Sequence, residues 1–417
     1  MYPVIEKLYK YVDPSRAVSI LIEGYRRRIV RLRPDKSIGY ITAEPIYAEI
    51  DRPYANLSHV DGWAVRSEDT RTASSENPVK LRVKEEIDSR RAGETVLAPG
   101  ETVFVETGFP IPSNADAVIP VESTRRINGY VYIYAPVPRG YNVFPKGSDF
   151  RRGEELLPKG ARITGYASKL LMDAGVWRVK VYDKPRIAVY STGVELKEEP
   201  ALPGQTYIPD SSRLFINKAV EMLGGKIIDT ANIPDSSESI AGVIEEVLGD
   251  ADLVITIGGV SMGPRDMTWT SIKNRIKYLE VFRGTKMHPG RSTSGFRTPT
   301  TSIINLPGLP QSTIAATLLI LSPVIKYMAG GEPEALKPDY MVRLAEDYRS
   351  DKYLGFHRIR YVDTREEGAA IIENNPIYNV STPLRYAGIT IIPPGKKPSK
   401  NELIPVYRPQ VIYGLEP

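Results

Sequence analysis

The order of apolar and polar positions divides the chain into stretches of different periodicity. Near the start, Asp13-Pro14 reads as an N-cap and first helical residue ahead of Ala17, Ile20, Leu21 and Tyr25, which fall at helical spacing and predict one amphipathic helix. Short alternating runs follow at 38–50, 79–85, 103–106, 117–120 and 130–134, bounded by Gly, Pro and Asn, and predict a small β domain. From Lys184 the pattern changes to strand and helix in turn. Strands are expected at 186–190, 226–228 and 253–257, and helices at 212–223, 236–248, 268–276 and 312–328. Such alternation predicts right-handed βαβ units and a parallel sheet covered on both faces, with ligands beyond the carboxyl ends of the strands. After Gly330-Gly331-Glu332-Pro333 the helix signals stop, and runs at 340–344, 358–362, 369–372, 389–392 and 404–407 predict a second β module, a barrel.

Composition narrows the function. At 417 residues the chain is too long for one core, and about three domains are expected. The net charge of +5 is spread among acidic residues, and the dense cluster Arg26-Arg27-Arg28 reads as a solvated helix end, which argues against nucleic acid and suits a small anionic substrate. Cysteine is absent, which excludes disulfides, thiolate metal sites and a cysteine nucleophile. With only His59, His288 and His357 available, a metal would be a hard, oxygen-bound ion such as magnesium. Residues 1–16 lack the apolar core of a signal peptide, and the longest apolar run, 315–325, is too short to span a bilayer, so a soluble cytoplasmic protein is expected.

Three glycine-bearing loops carry the chemistry. The first strand of the α/β region runs into Ser191-Thr192-Gly193-Val194-Glu195, a hydroxyl pair, a glycine and a carboxylate. The run 253–257 ends in Gly258-Gly259-Val260-Ser261-Met262-Gly263-Pro264-Arg265-Asp266, whose backbone N–H groups can cradle an anion beside a helix N-terminus. Asp266 reads either as a helix N-cap or as a ligand to a metal bridging phosphates. Pro307-Gly308-Leu309-Pro310 opens the long helix. One such loop is an ordinary turn, whereas three at successive strand ends point to a nucleotide or pterin site. Elsewhere, Asp61 beside Gly62-Trp63 reads as a turn aspartate next to a buried ring, the segment 105–120 as a proline-stiffened strand pair, and Asp149 as junction surface.

Taken in order, 58–65, 107–122, 142–149, 191–196, 258–266 and 307–310 resemble the molybdopterin molybdenumtransferase family, which includes bacterial MoeA and the E domain of gephyrin. The resemblance implies a multidomain α/β plus β subunit. Its parts are a segmented linker domain (1–45 and 138–166) with the N-terminal helix, a β domain (46–137), a molybdopterin-binding α/β domain (167–332) and a C-terminal β-barrel (333–417). It also implies a homodimer that inserts molybdate or tungstate into adenylylated molybdopterin with loss of AMP, helped by Mg2+, in a cleft between the third domain of one subunit and the second of its mate. Partners would be an adenylyltransferase and apo-molybdoenzymes. By position, Asp61 and Thr107 look like the second-domain catalytic contributions, and Glu195, Asp235 and Asp266 like the acidic set of the third, with Asp266, Glu195 and Asp149 as metal ligands. The cofactor would lie on Ser191, Thr192, Gly193, Gly258, Gly259, Ser261, Gly263, Pro307 and Gly308. Molybdate is itself an anion and needs donors, for which Arg291, Ser292 and the amides of 288–292 are nearest in sequence, while Ser381 resembles the family's C-terminal serine.

Departures from the family pattern are Val194 and Leu309, where aspartate and asparagine are common, Ile257 for serine, Pro264 for glutamate, and His288 with Arg291-Ser292 in place of Lys-Pro-Gly-Lys-Pro. They bear on the oxyanion and the rate. The rival readings are a non-catalytic pterin-binding paralogue that carries cofactor to apo-enzymes, and a nucleotide pyrophosphatase, which would not need the whole preceding β domain.

Overall fold

The structure is a computed structural model that describes residues 11–84, 89–260, 267–333, 337–373 and 376–413. They form two compact units: Arg31–Val181 is one, and the described residues up to Val30 join those from Tyr182 onward in the other.

In Arg31–Val181 a six-stranded sheet runs in the order Ala117–Pro120, Gly62–Val65, Glu101–Val105, Val79–Val83, Tyr130–Ile133, Thr124–Ile127. Side chains alternate between its faces, so Trp63, Val65, Leu81, Ile119 and Val131 fill one core and Ala64, Val103, Val105 and Val118 another. The strand Gly62–Val65 was hidden in the sequence by its short length and by an Asp-Gly pair that reads as a turn. Gly62 is obligatory there, because a Cβ would stand 2.2 Å from the Ile119 carbonyl oxygen. The run expected over 38–50 contracts to Ile46–Tyr47, which pairs with Glu155–Leu157 across a bulge. The helix Gly165–Asp173, capped by the Thr164 side chain on the Ala167 amide, was not read from the sequence.

The other unit is built on a six-stranded sheet in the order Lys226–Ile233, Arg186–Thr192, Leu253–Ile257, Ser302–Leu306, Ser294–Arg297, Glu280–Arg283. The first four are parallel, as expected; Ser294–Arg297 runs antiparallel to both its neighbours, which corrects the reading of a wholly parallel sheet. The connection from Arg297 to Ser302 is a short turn, closed by the Thr298 amide on the Thr301 carbonyl at 3.0 Å, and a parallel crossover needs a dozen residues or more. One face of the sheet (Ile187, Val189, Ile255, Ile304) packs on Ile216, Leu318, Leu321 and Val324, and on Ala17, Ile20 and Leu21 of the first helix, Pro14–Ile22. The other (Ala188, Tyr190, Val254, Ile303) packs on Ile240, Ile244, Trp269 and Ile272. Asp13 caps the first helix as expected, accepting from the Ser15 amide at 2.9 Å. The helix expected over 312–328 is two, Pro310–Ala316 and Ser322–Met328, joined by a π turn at Thr317–Leu321. Pro323 accounts for the break, since in a regular helix its ring would meet the carbonyl four residues back.

Arg27 and Arg28 are not a solvated helix end. Arg27 donates to the carbonyls of Tyr327 (2.9 Å) and Gly331 (2.5 Å). Arg28 grips the buried Asp252 with both terminal nitrogens, at 2.8 and 2.9 Å, and Asp252 also accepts the Arg186 amide at the foot of the sheet, at 2.6 Å.

Beyond Gly331 the strand His357–Arg365 pairs with Gly368–Ile372 and Gly388–Ile392, and Tyr340–Arg343 pairs with Leu403–Val406. Isolated bridges join Leu344 to Ala369 and Ile389 to Tyr407. Short helices at Thr382–Arg385 and Gln410–Tyr413 correct the expectation of strands alone. Met287–His288 pairs in parallel with His357 and Arg358, so it stitches these strands to the α/β sheet. At this joint His288 stacks on Tyr353, with ring centroids 3.6 Å apart, and its carbonyl accepts from Arg360 at 3.1 Å. Burial first, then the charges of Arg360 and Arg291, push the His288 imidazolium down to a pKa of about 3.

Two predictions follow from these anchors. Arg28→Ala leaves the Asp252 carboxylate with only its Arg186 contacts and should lower unfolding stability by about 1–3 kcal/mol in urea titrations. His288 is neutral in the folded protein but takes a proton near pH 6.5 when unfolded, so its contribution is whole above that pH and is lost as pH falls toward 3. Between pH 7.5 and 5 the wild type should therefore lose about 2 kcal/mol more than His288→Phe, which keeps the stack. Equal losses would refute the assignment.

Candidate functional site

The parallel strands end level: Ser191 lies opposite Ile257, and Ile257 opposite Leu306. The three loops that follow are therefore delivered to one edge, as the sequence implied. Gly258 donates its amide to the Leu306 carbonyl at 3.0 Å, and a Cβ on it would stand 3.0 Å from both Thr192 oxygens, Oγ1 and the carbonyl. A Cβ on Gly259 would be 2.4 Å from the Thr268 hydroxyl, and one on Gly308 3.5 Å from the Gly258 Cα. Both Gly258 (φ 96°) and Gly259 (φ 62°) are left-handed. Among the described residues the amides of Gly259, Gly308 and Leu309 have no backbone acceptor, which leaves donors for an anion. The Gln311 amide is taken by the Ile377 carbonyl, at 3.1 Å, so this part of the expected cradle is closed. Ser261, Gly263 and Asp266 lie outside the described residues.

Ser191 and Thr192 are buried. The Ser191 hydroxyl donates to Asp210 at 2.6 Å, and Asp210 in turn holds the buried Arg213 at 2.6 Å, so Ser191 shapes the floor of the edge. Gly193 (φ 146°) lets Glu195 fold back over it, where a Cβ would meet a Glu195 carboxylate oxygen at 2.7 Å. Asp235 follows the neighbouring strand and lies close to Glu195. Burial, and then the negative charge of Glu195, raise the Asp235 carboxyl above its ordinary range, against a Thr192 hydroxyl bond that lowers it. Two of the expected acids are thus brought together. Among the described residues no group of three or more His, Asp or Glu forms a ready-made metal cage. Two carboxylates fit a hard cation that completes its shell with substrate oxygens and water.

Asp61 and Thr107, in the other unit, are also paired: Asp61 accepts from the Thr107 amide at 2.7 Å and its hydroxyl at 2.8 Å. These two bonds hold the Asp61 carboxyl below its ordinary range, so it stays ionised. Asp149 is exposed and lies 3.5 Å from the Arg52 guanidinium. In the α/β unit, Arg291 and Ser292 are half-buried in the loop after His288. A Cβ on Gly290 of that loop would be 3.3 Å from the Ser312 carbonyl, which places the loop beside the helix that follows Gly308. Ser381 is exposed just before Thr382–Arg385, on a segment tied to the same helix start through Gln311, which bonds to Ile377 and Asn379.

The residue that the sequence concealed is Asn232. Its side-chain amide donates to the Gly193 carbonyl at 3.0 Å and the Leu196 carbonyl at 3.2 Å, the two ends of the turn that carries Glu195. The expected strand stopped at residue 228, whereas the strand in the structure continues to Ile233 and carries Asn232 to the edge.

Among the described residues no helix is long and apolar enough to cross a membrane. Residues 12–175 match the MoeA N-terminal region (domain I and II), and residues 188–327 match a probable molybdopterin binding domain. A molybdopterin molybdenumtransferase of Nostoc sp. is 31% identical over 319 residues, covering 75% of this chain and 72% of its own length. Another, of Staphylococcus aureus, is 30% identical over 342 residues, covering 81% and 80%. The crystal structure of a molybdopterin biosynthesis moea protein from Pyrococcus horikosii superposes with a TM-score of 0.75 at 30% identity, over 95% of this chain and 98% of that one. The domain matches reach into both units, and the level strand ends with their glycine loops fall inside the second match: the chain belongs to the molybdopterin molybdenumtransferase (MoeA) family.

Proposed function

We propose that this protein is a transferase of molybdenum cofactor biosynthesis that inserts molybdate or tungstate into adenylylated molybdopterin and releases AMP. The observation that carries the reading is the convergence of three glycine loops at one sheet edge with the Glu195 and Asp235 carboxylates beside them. The amides of Gly259, Gly308 and Leu309 receive the phosphoanhydride oxygens, since N–H groups fixed in advance stabilise charge as it develops. Glu195 and Asp235, with Asp266, hold Mg2+, which would neutralise charge on the phosphate that leaves with AMP. Arg291, Ser292 and Ser381 are the donors for the incoming oxyanion, the first two next to the joint that keeps His288 neutral. Asp61, held ionised by Thr107, supplies the acid of the second domain.

The finer picture is a cytoplasmic homodimer in which each site takes Asp61 from one subunit and the glycine edge from its mate. The C-terminal strands are a small barrel on this reading, supported by the circuit of pairings in which Leu344–Ala369 and Ile389–Tyr407 link the strand pair to both ends of the larger sheet. Retention of Asp61, Glu195, Asp235 and Asp266 favours turnover over a carrier role. The direct test supplies adenylylated molybdopterin, molybdate or tungstate and Mg2+, then measures AMP and metal-loaded cofactor. AMP without metal insertion would indicate a pyrophosphatase, and tight pterin binding without AMP a carrier.

Asp61→Asn should cut AMP release about a hundredfold or more while leaving the unfolding midpoint nearly unchanged, because asparagine keeps the size and can still accept from Thr107. A turn aspartate without a catalytic part predicts normal turnover. Mixing the Asp61→Asn and Asp266→Asn proteins under subunit exchange should restore part of the activity, since one site of each mixed dimer is then wild type at both positions. Exhaustive chelation of divalent cations should abolish turnover, and Mg2+ should recover it.

A further inference from the structure

We propose that Asn232 is a positioning residue that sets the spacing of the Glu195 and Asp235 carboxylates for a divalent cation, an inference that rests on the function proposed above. Glu195 stands at the apex of a tight turn in which the Leu196 amide donates to the Gly193 carbonyl at 3.3 Å. Within that turn Gly193 is left-handed, a conformation that glycine adopts without strain and that lets Glu195 fold back. Asn232 closes it from outside by donating one NH2 group to the carbonyls at both ends, Gly193 and Leu196. The same residue stands three positions before Asp235, on a strand whose Ile233 carbonyl accepts the Gly193 amide at 3.2 Å. Between Ile233 and Asp235 the only residue is Pro234, whose ring fixes φ and lets little slack build up. Asn232 therefore belongs to the segment that carries one carboxylate and is bonded to the turn that carries the other. No other side chain among the described residues is seen to bond both ends of the turn. Like charges repel, and without Asn232 the Glu195 turn keeps only its backbone bonds, among them Gly193 to Ile233 and the Ile208 amide to the Glu195 carbonyl, so the carboxylate loses its side-chain brace against that repulsion.

Asn232 is exposed, so its removal spares the core. The test titrates Mn2+ alone, read by its electron paramagnetic resonance signal, into full-length wild type, Glu195→Gln, Asn232→Ala, Asn232→Ser and the control Asn217→Ala. Asn217 bonds Thr230, away from the turn. Expected are loss of Mn2+ binding in Glu195→Gln, weakening of about tenfold in both Asn232 variants, as for two lost hydrogen bonds, and no change in Asn217→Ala. The Mg2+ concentration for half-maximal AMP release should rise by the same factor in the Asn232 variants, with the rate at saturating Mg2+ retained and the unfolding midpoint close to wild type. If Glu195→Gln loses Mn2+ while both Asn232 variants bind it as the wild type does, the positioning role is wrong and the cation site stands. If wild type binds no Mn2+, or Glu195→Gln binds it undiminished, the cation reading itself fails and the positioning role falls with it. A loss in the Asn232 variants that only tracks their unfolding would likewise overturn the role.

Discussion

The site depends on a steric constraint at the carboxyl edge of the α/β sheet. Three parallel strands end level there, so their loops leave the sheet side by side with backbone almost touching backbone. A Cβ on Gly258 or Gly259 would press into Thr192 or Thr268, and both positions need left-handed φ, so glycine is required twice over. This close approach leaves amides uncovered at the edge, because a side chain there would shield them or push the loops apart. The rigidity comes from below. Buried aliphatic residues fill both faces of the sheet, and a close-packed core of that kind transmits position to the loops with little play.

Charge is arranged differently at two places in the α/β unit. At the joint with the C-terminal strands, burial and two arginines keep His288 neutral, so the loop bearing Arg291 and Ser292 keeps a fixed charge over the physiological range. At the glycine edge the reverse holds: burial first, and then the charge of Glu195, raise the Asp235 carboxyl. The Thr192 hydroxyl bond offsets only part of that rise. Asp61 in the other unit is the contrasting case, since both bonds it accepts favour its charge.

The α/β order was legible in the sequence because strand and helix periodicities are distinct and each run is long enough to register. The three loops were legible as a set for the same reason, each following a predicted strand. What stayed hidden has physical causes. The strand Gly62–Val65 is only four residues long, too short to show a period, and Ser294–Arg297 and the edge strand Glu280–Arg283 are of the same length and were missed for the same reason. Arg27 and Arg28 look like surface charge until the fold brings Gly331 and Asp252 to them over hundreds of residues. Asn232 carries no motif, and its part depends wholly on a parallel register that sequence does not give.

The departures from the family pattern also take on different meanings once their places are known. Ile257, standing where serine is common, is buried in the core with Ile255, Ile304 and Leu306, so the change alters packing beneath the loop. Val194 and Leu309 are exposed at the edge, 72% and 45%, one at the apex of the Glu195 turn and the other as the residue before the helix at Gly308. Each replaces a polar side chain at the rim with an apolar one while leaving the backbone donors and both carboxylates in place. The change therefore falls on the rim of the glycine edge rather than on its backbone amides or its two carboxylates. His288 differs in kind, because a neutral ring where lysine is common removes one positive charge from its loop and leaves that of Arg291. The charge of that loop is thus carried by a planar guanidinium fork, which can pair two oxygens at once where an ammonium offers only a point charge.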